Sequence, residues 1–332
     1  MAQNLIIMSN VRIITKSTEL PEMDCRDYFH STDLFKILEQ TPGCSPYMVV
    51  VTDEQDHIVA HLLAMINRRG SWIPPYLYSA GRVYGEGQYE TEDASEIARL
   101  FELMLEAITK KFRRRLCLYF EFSNISKKMF GYKSFRKFSY FPVRWMQIHN
   151  SLHDKSPSER LPEKLRNRIA NTYEAGVTTG EAESKEDVSE FYKMLKNFYR
   201  FKFQRFIPKK SFFESFNEDG RHKIFITRYK KWVIGGCAVV YTKGNAYLWY
   251  LASKRKSFPM QHPNLMTVWH AMDYSYNHGY HHIYFMNVGL PFRKNPQREF
   301  ILRFQGKPAS TYRWFRCSFK WLNKVLNWIY RE

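Results

Sequence analysis

The stretch from Arg221 to Lys307 constrains the fold most. Three runs rich in β-branched and aromatic residues, His222–Arg228, Trp232–Tyr241 and Tyr247–Ala252, lie between short turn signals and read as strands. A helical pattern then covers Asn264–Asn277 and stops at Gly279. A fourth strand, His281–Met286, leads into Asn287-Val288-Gly289, and a short basic helix ends in Phe304-Gln305-Gly306-Lys307. Strands joined by short turns can pair antiparallel. A strand that follows a long helix can pair parallel, so this order predicts a mixed sheet of the α/β class.

The first half repeats the pattern loosely. A hairpin, Tyr47–Thr52 and His57–Ile66, turns through Asp53–Asp56 and is followed by an aromatic extended segment, Trp72–Tyr84. A helix over Ala94–Phe112 starts after Thr91-Glu92-Asp93 and ends in Lys110-Lys111, charges that match the helix dipole. A strand, Leu116–Phe122, and a short helix, Ile125–Phe130, closed by Gly131, complete the unit. An earlier strand is expected at Leu5–Thr15 and a short helix at Thr32–Glu39. Two copies of one α/β unit account for 332 residues better than a single core does. The expected domains are 1–150 and 151–332, with the boundary near Asn150–Pro157.

The net charge of +19 is unevenly spread: residues 1–150 carry +2 and residues 151–332 carry +17. A half so basic attracts polyanions, whether RNA, an anionic lipid surface or a phosphate-bearing substrate. A solvated basic surface with no dedicated partner is the plain alternative. The five cysteines are scattered and form no C-x-x-C pair, which fits reduced thiols in the cytoplasm and neither a disulfide framework nor a zinc site. His281-His282 point to opposite faces of a strand and cannot chelate one ion, so no metal is expected. The start lacks a secretory signal, and no apolar run is long enough to span a membrane. The tail reads as a strand and then a helix, with Phe319, Leu322, Val325, Leu326 and Ile329 on one face and Trp321 and Trp328 adding bulk. Such a helix suits either docking onto the protein or a membrane interface.

Four pieces in order carry a resemblance to a known family. They are the basic helix Lys164-Leu165-Arg166-Asn167-Arg168-Ile169 with Glu174-Ala175-Gly176-Val177, the strand with Gly235-Gly236, the segment Tyr280–Gly289, and Phe300-x-x-x-Phe304-x-Gly306. Together they resemble the FemAB family, relatives of the GNAT N-acyltransferases. The resemblance is specific from about Leu165 to Gly306. It implies two tandem GNAT-like domains, the first degenerate and the second holding the cleft. It also implies transfer of an acyl or aminoacyl group to an amine, on a cell-wall or lipid-linked precursor, from acyl-CoA or aminoacyl-tRNA. The chain departs from the family pattern at Met286 and Asn287, which replace a glycine and an acidic position. It departs again in the loop Ser253–Asn264, which has no glycine where a CoA pyrophosphate is ordinarily cradled.

On this reading Lys254, Arg255, Lys256 and the helix start at Asn264 are the donor-binding candidates. Asn287 and Tyr284, at the C-terminal end of a strand, and Tyr250 on its neighbour, are the catalytic candidates. Arg293 and Lys294 are the candidates for a substrate phosphate or carboxylate. A GNAT scaffold without catalysis, binding RNA or an anionic membrane, remains the alternative from the sequence; donor, acceptor and oligomeric state stay open.

Overall fold

The computed structural model describes residues 10–72, 75–200, 206–216, 220–286 and 288–330. The chain forms two compact units: residues 1–145 with 311–332, and residues 146–310. The boundaries differ from the expected single cut near residue 150, because the last 22 residues belong with the first unit.

The first unit begins with β1 (Asn10–Ile14), α1 (Thr32–Gln40), β2 (Cys44–Thr52), β3 (Ile58–Trp72), β4 (Pro75–Tyr84) and the short β5 (Gln88–Tyr89). It continues through α2 (Ala94–Arg114), β6 (Tyr119–Ser123), α3 (Tyr132–Lys137) and the first residues of β7 (Phe141–Ser151). The β2–β3 hairpin turns on Asp53, whose carboxylate accepts from the N–H groups of Gln55 and His57 at 2.8 and 2.9 Å. α2 starts because the Asp93 carboxylate accepts from the N–H of Glu96, and it ends among Lys111, Arg113 and Arg114. Its buried face, Leu100, Phe101, Met104, Leu105, Ile108 and Phe112, recurs at helical spacing and covers the sheet. β4 and β6 pair in parallel across this helix. The expected helix at Ile125–Phe130 is absent and α3 starts after Gly131 instead. Gly131 has φ +61°, and a β-carbon there would meet Phe101 at 2.5 Å, so this glycine begins a helix where the sequence reading had it end one.

The second unit takes the rest of β7 and then α4 (Pro157–Arg160), α5 (Glu163–Glu174), β8 (Val177–Glu181), α6 (Lys185–Tyr199) and α7 (Lys210–Glu214). β9 (His222–Tyr229), β10 (Trp232–Thr242), β11 (Asn245–Ser253), α8 (Pro263–Asn277), β12 (His282–Phe285) and α9 (Pro296–Leu302) follow. β13 (Lys307–Cys317) carries the chain back into the first unit, and α10 (Lys320–Ile329) ends it. The sheet of the second unit runs β7-β12-β11-β10-β9-β8, and that of the first β1-β2-β3-β4-β6-β13. The serine cap and the near-helical spacing of Lys164, Arg166 and Arg168 predict one helix over about Ser158–Ala175, and the structure breaks it in two. Pro162 holds Leu161 in an extended conformation, which ends α4 and begins α5.

β9, β10 and β11 form an antiparallel meander, and Lys243-Gly244, with φ of 50° and 69°, makes its two-residue turn. α8 then crosses over so that β12 runs parallel to β11, as β6 does to β4. Gly235 and Gly236 lie where helices press on both faces of β10. A β-carbon on Gly236 would meet Phe191 of α6 at 2.7 Å, and one on Gly235 would meet Thr267 of α8 at 2.4 Å.

Candidate functional site: a cationic groove at a helix N-terminus

The pairing of β11 with β12 runs from Asn245–Leu248 to His282–Phe285, and β11 then continues to Ser253 past the end of β12. The chain leaves β11 through a turn in which the Ser257 and Phe258 N–H groups donate to the Lys254 carbonyl, and it enters α8 at Pro263. α8 therefore starts at the carboxyl end of the sheet, where open α/β sheets place ligands. Thr267 holds this start in position: its hydroxyl donates to the Pro263 carbonyl at 2.8 Å and lies 2.7 Å from the Thr227 hydroxyl on β9. The first turn of a helix leaves N–H groups without intrahelical partners. Here His262 precedes it in a left-handed conformation, φ +42°, and its side chain makes no capping bond among the described residues.

A groove of about 700 Å³ opens at this point, between α5 and the segment Met260–His262. From α5 it takes Glu163, Lys164, Asn167, Arg168, Asn171 and Thr172, and from its C-cap Ala175, one face of the helix at three- and four-residue spacing. Among the described residues Glu163 is the only acid in the lining. Neither Lys164 nor Arg168 is ion-paired among the described residues. Burial, and then the positive charge of Arg168, push the His262 imidazole below its ordinary value, so it is neutral at physiological pH. Two cations, several neutral hydrogen-bonding groups and an uncapped helix start form a site that attracts an anion.

The sequence candidates fall at several places in the second unit. Asn264 is the second residue of α8, half-buried beside this helix start. Lys254 is half-buried, its ammonium 3.9 Å from the Glu190 carboxylate, and Arg255 and Lys256 are exposed on the turn outside the groove lining. Tyr250 is buried in β11 under the Phe213 ring at 5.3 Å. Tyr284 is half-buried in β12 and stacked on Tyr247 at 5.1 Å, three residues short of Tyr250 along the register. Burial raises the Tyr284 hydroxyl above its usual range. Arg293 and Lys294 are exposed on the loop before α9, a loop tied down by Arg298, whose guanidinium donates to the carbonyls of Leu290 and Arg293. Asn287 lies outside the described residues. Lys164 and Arg168, which line the groove, stand in the sequence as part of a basic helix, and their helical spacing is the signal that places them on one face.

The three buried cysteines are not candidates for thiol chemistry. Burial pushes the Cys44 and Cys117 thiols up to about 12, and raises Cys237 as well, so they are inert at neutral pH. Among the described residues no three metal-capable side chains converge.

Residues 160–294 match the family described as "Acetyltransferase (GNAT) domain". Solved structures share the fold over nearly the whole chain. FemX is 10% identical, with 92% of this chain and 95% of that one covered at a TM-score of 0.61. L-PGS from Bacillus licheniformis is 12% identical, covering 92% and 98% at 0.57. A tandem GNAT protein from the clavulanic acid biosynthesis pathway is 9% identical, covering 93% and 99% at 0.57. A search of curated proteins finds no significant match. At such identities the structures speak for the fold, and the domain match speaks for the family of the second unit. The chain thus carries a GNAT-domain match over residues 160–294 and, over nearly its whole length, the fold of these tandem structures.

Proposed function

We propose that the chain transfers an acyl or aminoacyl group from a phosphate-bearing donor to an amine, with the donor's phosphates held in the groove between α5 and the start of α8. The observation that carries this reading is the groove itself. It brings Lys164 and Arg168 to an uncapped helix start inside the part of the chain that matches the GNAT domain. In the reaction the amine nitrogen attacks the donor carbonyl and a C–N bond forms. The C–S bond of an acyl-CoA, or the C–O bond of an aminoacyl-tRNA ester, breaks. The amine proton leaves with the thiol or hydroxyl product. No covalent enzyme intermediate is required.

The loop Ser253–His262 has no glycine, so the phosphate is held by side-chain charge and the helix start rather than by a glycine cradle. Tyr284, with its hydroxyl raised by burial, stays protonated at physiological pH and serves as a hydrogen-bond donor, not a base. Tyr250 and Asn287 remain the other proposed donors near the carbonyl, and Arg293 and Lys294 the proposed partners of an acidic group on the acceptor. A cell-wall precursor or lipid-linked amine is the acceptor class this reading favours.

The test is titration of the protein with acetyl-CoA, longer acyl-CoAs, and charged and uncharged tRNA at two salt concentrations. Saturable CoA binding that survives salt identifies an acyl-CoA enzyme, and a preference for charged over uncharged tRNA identifies an aminoacyltransferase. Binding that follows only the number of phosphates, with no distinction between charged and uncharged tRNA and no CoA signal, would sink the proposal.

A further inference from the structure

The C-terminal helix α10 is docked by Asn323, Asn327 and Tyr330 and turns most of its large apolar residues outward. Asn323 is buried; its carbonyl oxygen accepts from the Cys317 N–H at 2.8 Å and its amide donates to the Ser139 carbonyl at 2.9 Å. Asn327 donates to the same carbonyl at 3.3 Å and accepts from the Arg136 guanidinium at 2.9 Å. Tyr330 stacks on Phe141 at 5.6 Å. At roughly 100° per residue, Trp321, Val325, Trp328 and Ile329 share a single arc of the helix away from these contacts. They are 69, 45, 70 and 56% exposed, and Phe319 at the helix start is 54% exposed.

This surface extends beyond the helix. The Ser318 N–H donates to the Leu118 carbonyl at 3.1 Å, which sets the start of α10 beside the segment that leaves α2. There Leu116 and Leu118 are 86 and 38% exposed, and Arg113, Arg114 and Arg115 stand exposed just before them. Lys320 and Lys324 are exposed on α10 next to the tryptophan arc. Residues 113–118 and 318–330 contain no acidic residue. One surface of the first unit thus pairs large apolar side chains, two of them tryptophan, with five cations.

We infer that this surface docks on a bilayer containing anionic phospholipid, with α10 lying in the plane of the headgroups. A helix with outward tryptophans and flanking lysines gains by placing its rings at the headgroup boundary, while the cations meet lipid phosphate. α10 is ten residues long, and among the described residues no helix is long and apolar enough to cross a membrane, so the docking is interfacial. A second copy is a poorer occupant, because an isologous pair would set the same five cations against each other. The inference rests on this surface alone and stands whichever donor the groove takes.

The experiment is co-sedimentation of the full chain with vesicles of phosphatidylcholine alone and of phosphatidylcholine mixed with phosphatidylglycerol. Binding to the mixed vesicles is expected, with a blue shift of tryptophan emission and weak binding to the neutral ones. Trp321→Glu with Trp328→Glu is expected to lower partitioning about tenfold or more. Arg113→Glu with Arg115→Glu is expected to remove the preference for phosphatidylglycerol. The arginine pair is fully on the surface and carries the test should the tryptophan variant fold poorly. No vesicle binding by the natural sequence overturns the inference. So does binding that neither double variant weakens, and so does a dimer in light scattering that the tryptophan variant dissolves.

Discussion

The Thr267 hydroxyl on α8 occupies the place a β-carbon on Gly235 would need, 2.4 Å from it, and the Pro263 carbonyl lies 3.0 Å from the same point. The start of α8 therefore rests directly on the β10 backbone, and the height of the helix over the sheet is set by the absence of a side chain. Gly235→Ala should lift this start. The expected cost is about 1–3 kcal/mol of stability, as for other overpacked contacts, together with weaker donor binding. Urea unfolding and titration of the donor check both, and an unchanged midpoint with unchanged affinity would count against this role for Gly235.

Lys164 and Arg168 lie on the groove face of α5 without an ion-pair partner among the described residues. Replacing either by alanine is expected to weaken a phosphate-bearing donor about tenfold and to leave thermal stability unchanged. Should the donor be a tRNA, each replacement should also lower the slope of log affinity against log salt by about one. Equal binding by the double variant and the natural sequence would place the donor elsewhere.

In the first unit Arg82 on β4 and Glu121 on β6 face each other across the parallel pair at 2.5 Å, and Arg313 on β13 adds a second contact to Glu121 at 3.1 Å. Arg313 also lies over the Trp145 ring at 3.9 Å. Glu121→Gln leaves two arginines facing a neutral amide in the interior, a loss expected to be about 3–5 kcal/mol. Burial alone would raise the Glu121 carboxyl, but the two arginines hold it below its ordinary value of 4.5. A carboxyl depressed on folding contributes stability above its unfolded value and loses it as pH falls through the folded one. The natural sequence should therefore lose this contribution only below about pH 4.5. A Glu121→Gln protein that melts with the natural one at pH 7 would contradict this account.

His61 lies buried in β3, its Nε2 without a hydrogen-bond partner among the described residues. Burial pushes its imidazole from 6.5 down to about 4, against the weaker pull of Asp27. A histidine depressed on folding contributes stability above its unfolded value, and that contribution is lost as pH falls from 6.5 toward about 4. His61→Gln should flatten the stability profile over that window relative to the natural sequence. Parallel profiles, measured by urea unfolding at several pH values, would show that the ring does not titrate as described.

The order of strands and helices was legible because hydrophobic spacing and turn residues report it locally. The β9–β10–β11 meander, the crossover by α8, and the pairing of helix start and acidic residue at α2 follow from such signals. Where a residue has two local uses the reading failed. Gly131 serves a helix start as readily as a helix end, and only the Phe101 ring beside it explains which. Leu161-Pro162 carried its break in the sequence, and the helical charge spacing on either side obscured it.

The candidate site was legible in part. The sequence pointed to the loop Ser253–Asn264 and to a basic helix upstream as separate features. That the groove is formed by the end of that loop and by Lys164 and Arg168, about 100 residues earlier in the chain, is a long-range contact that no local pattern encodes. The same holds for the tail. Its amphipathic spacing was plain, and spacing alone allows the apolar face to turn inward or outward. Asn323 and Asn327 decide it, because the Ser139 carbonyl and the Cys317 N–H they satisfy belong to other elements.

By itself the sequence determined what depends on neighbours in the chain: the α/β order, the repeat of a strand–helix–strand unit, and the concentration of positive charge in residues 151–332. Tertiary structure decided what depends on residues far apart in the chain. It assigned the final strand and helix to the first unit, brought α5 to the start of α8, and turned the tryptophans of α10 away from the core. Periodicity says that a helix has two faces. Which face is buried depends on the partners that packing and hydrogen bonding bring to it.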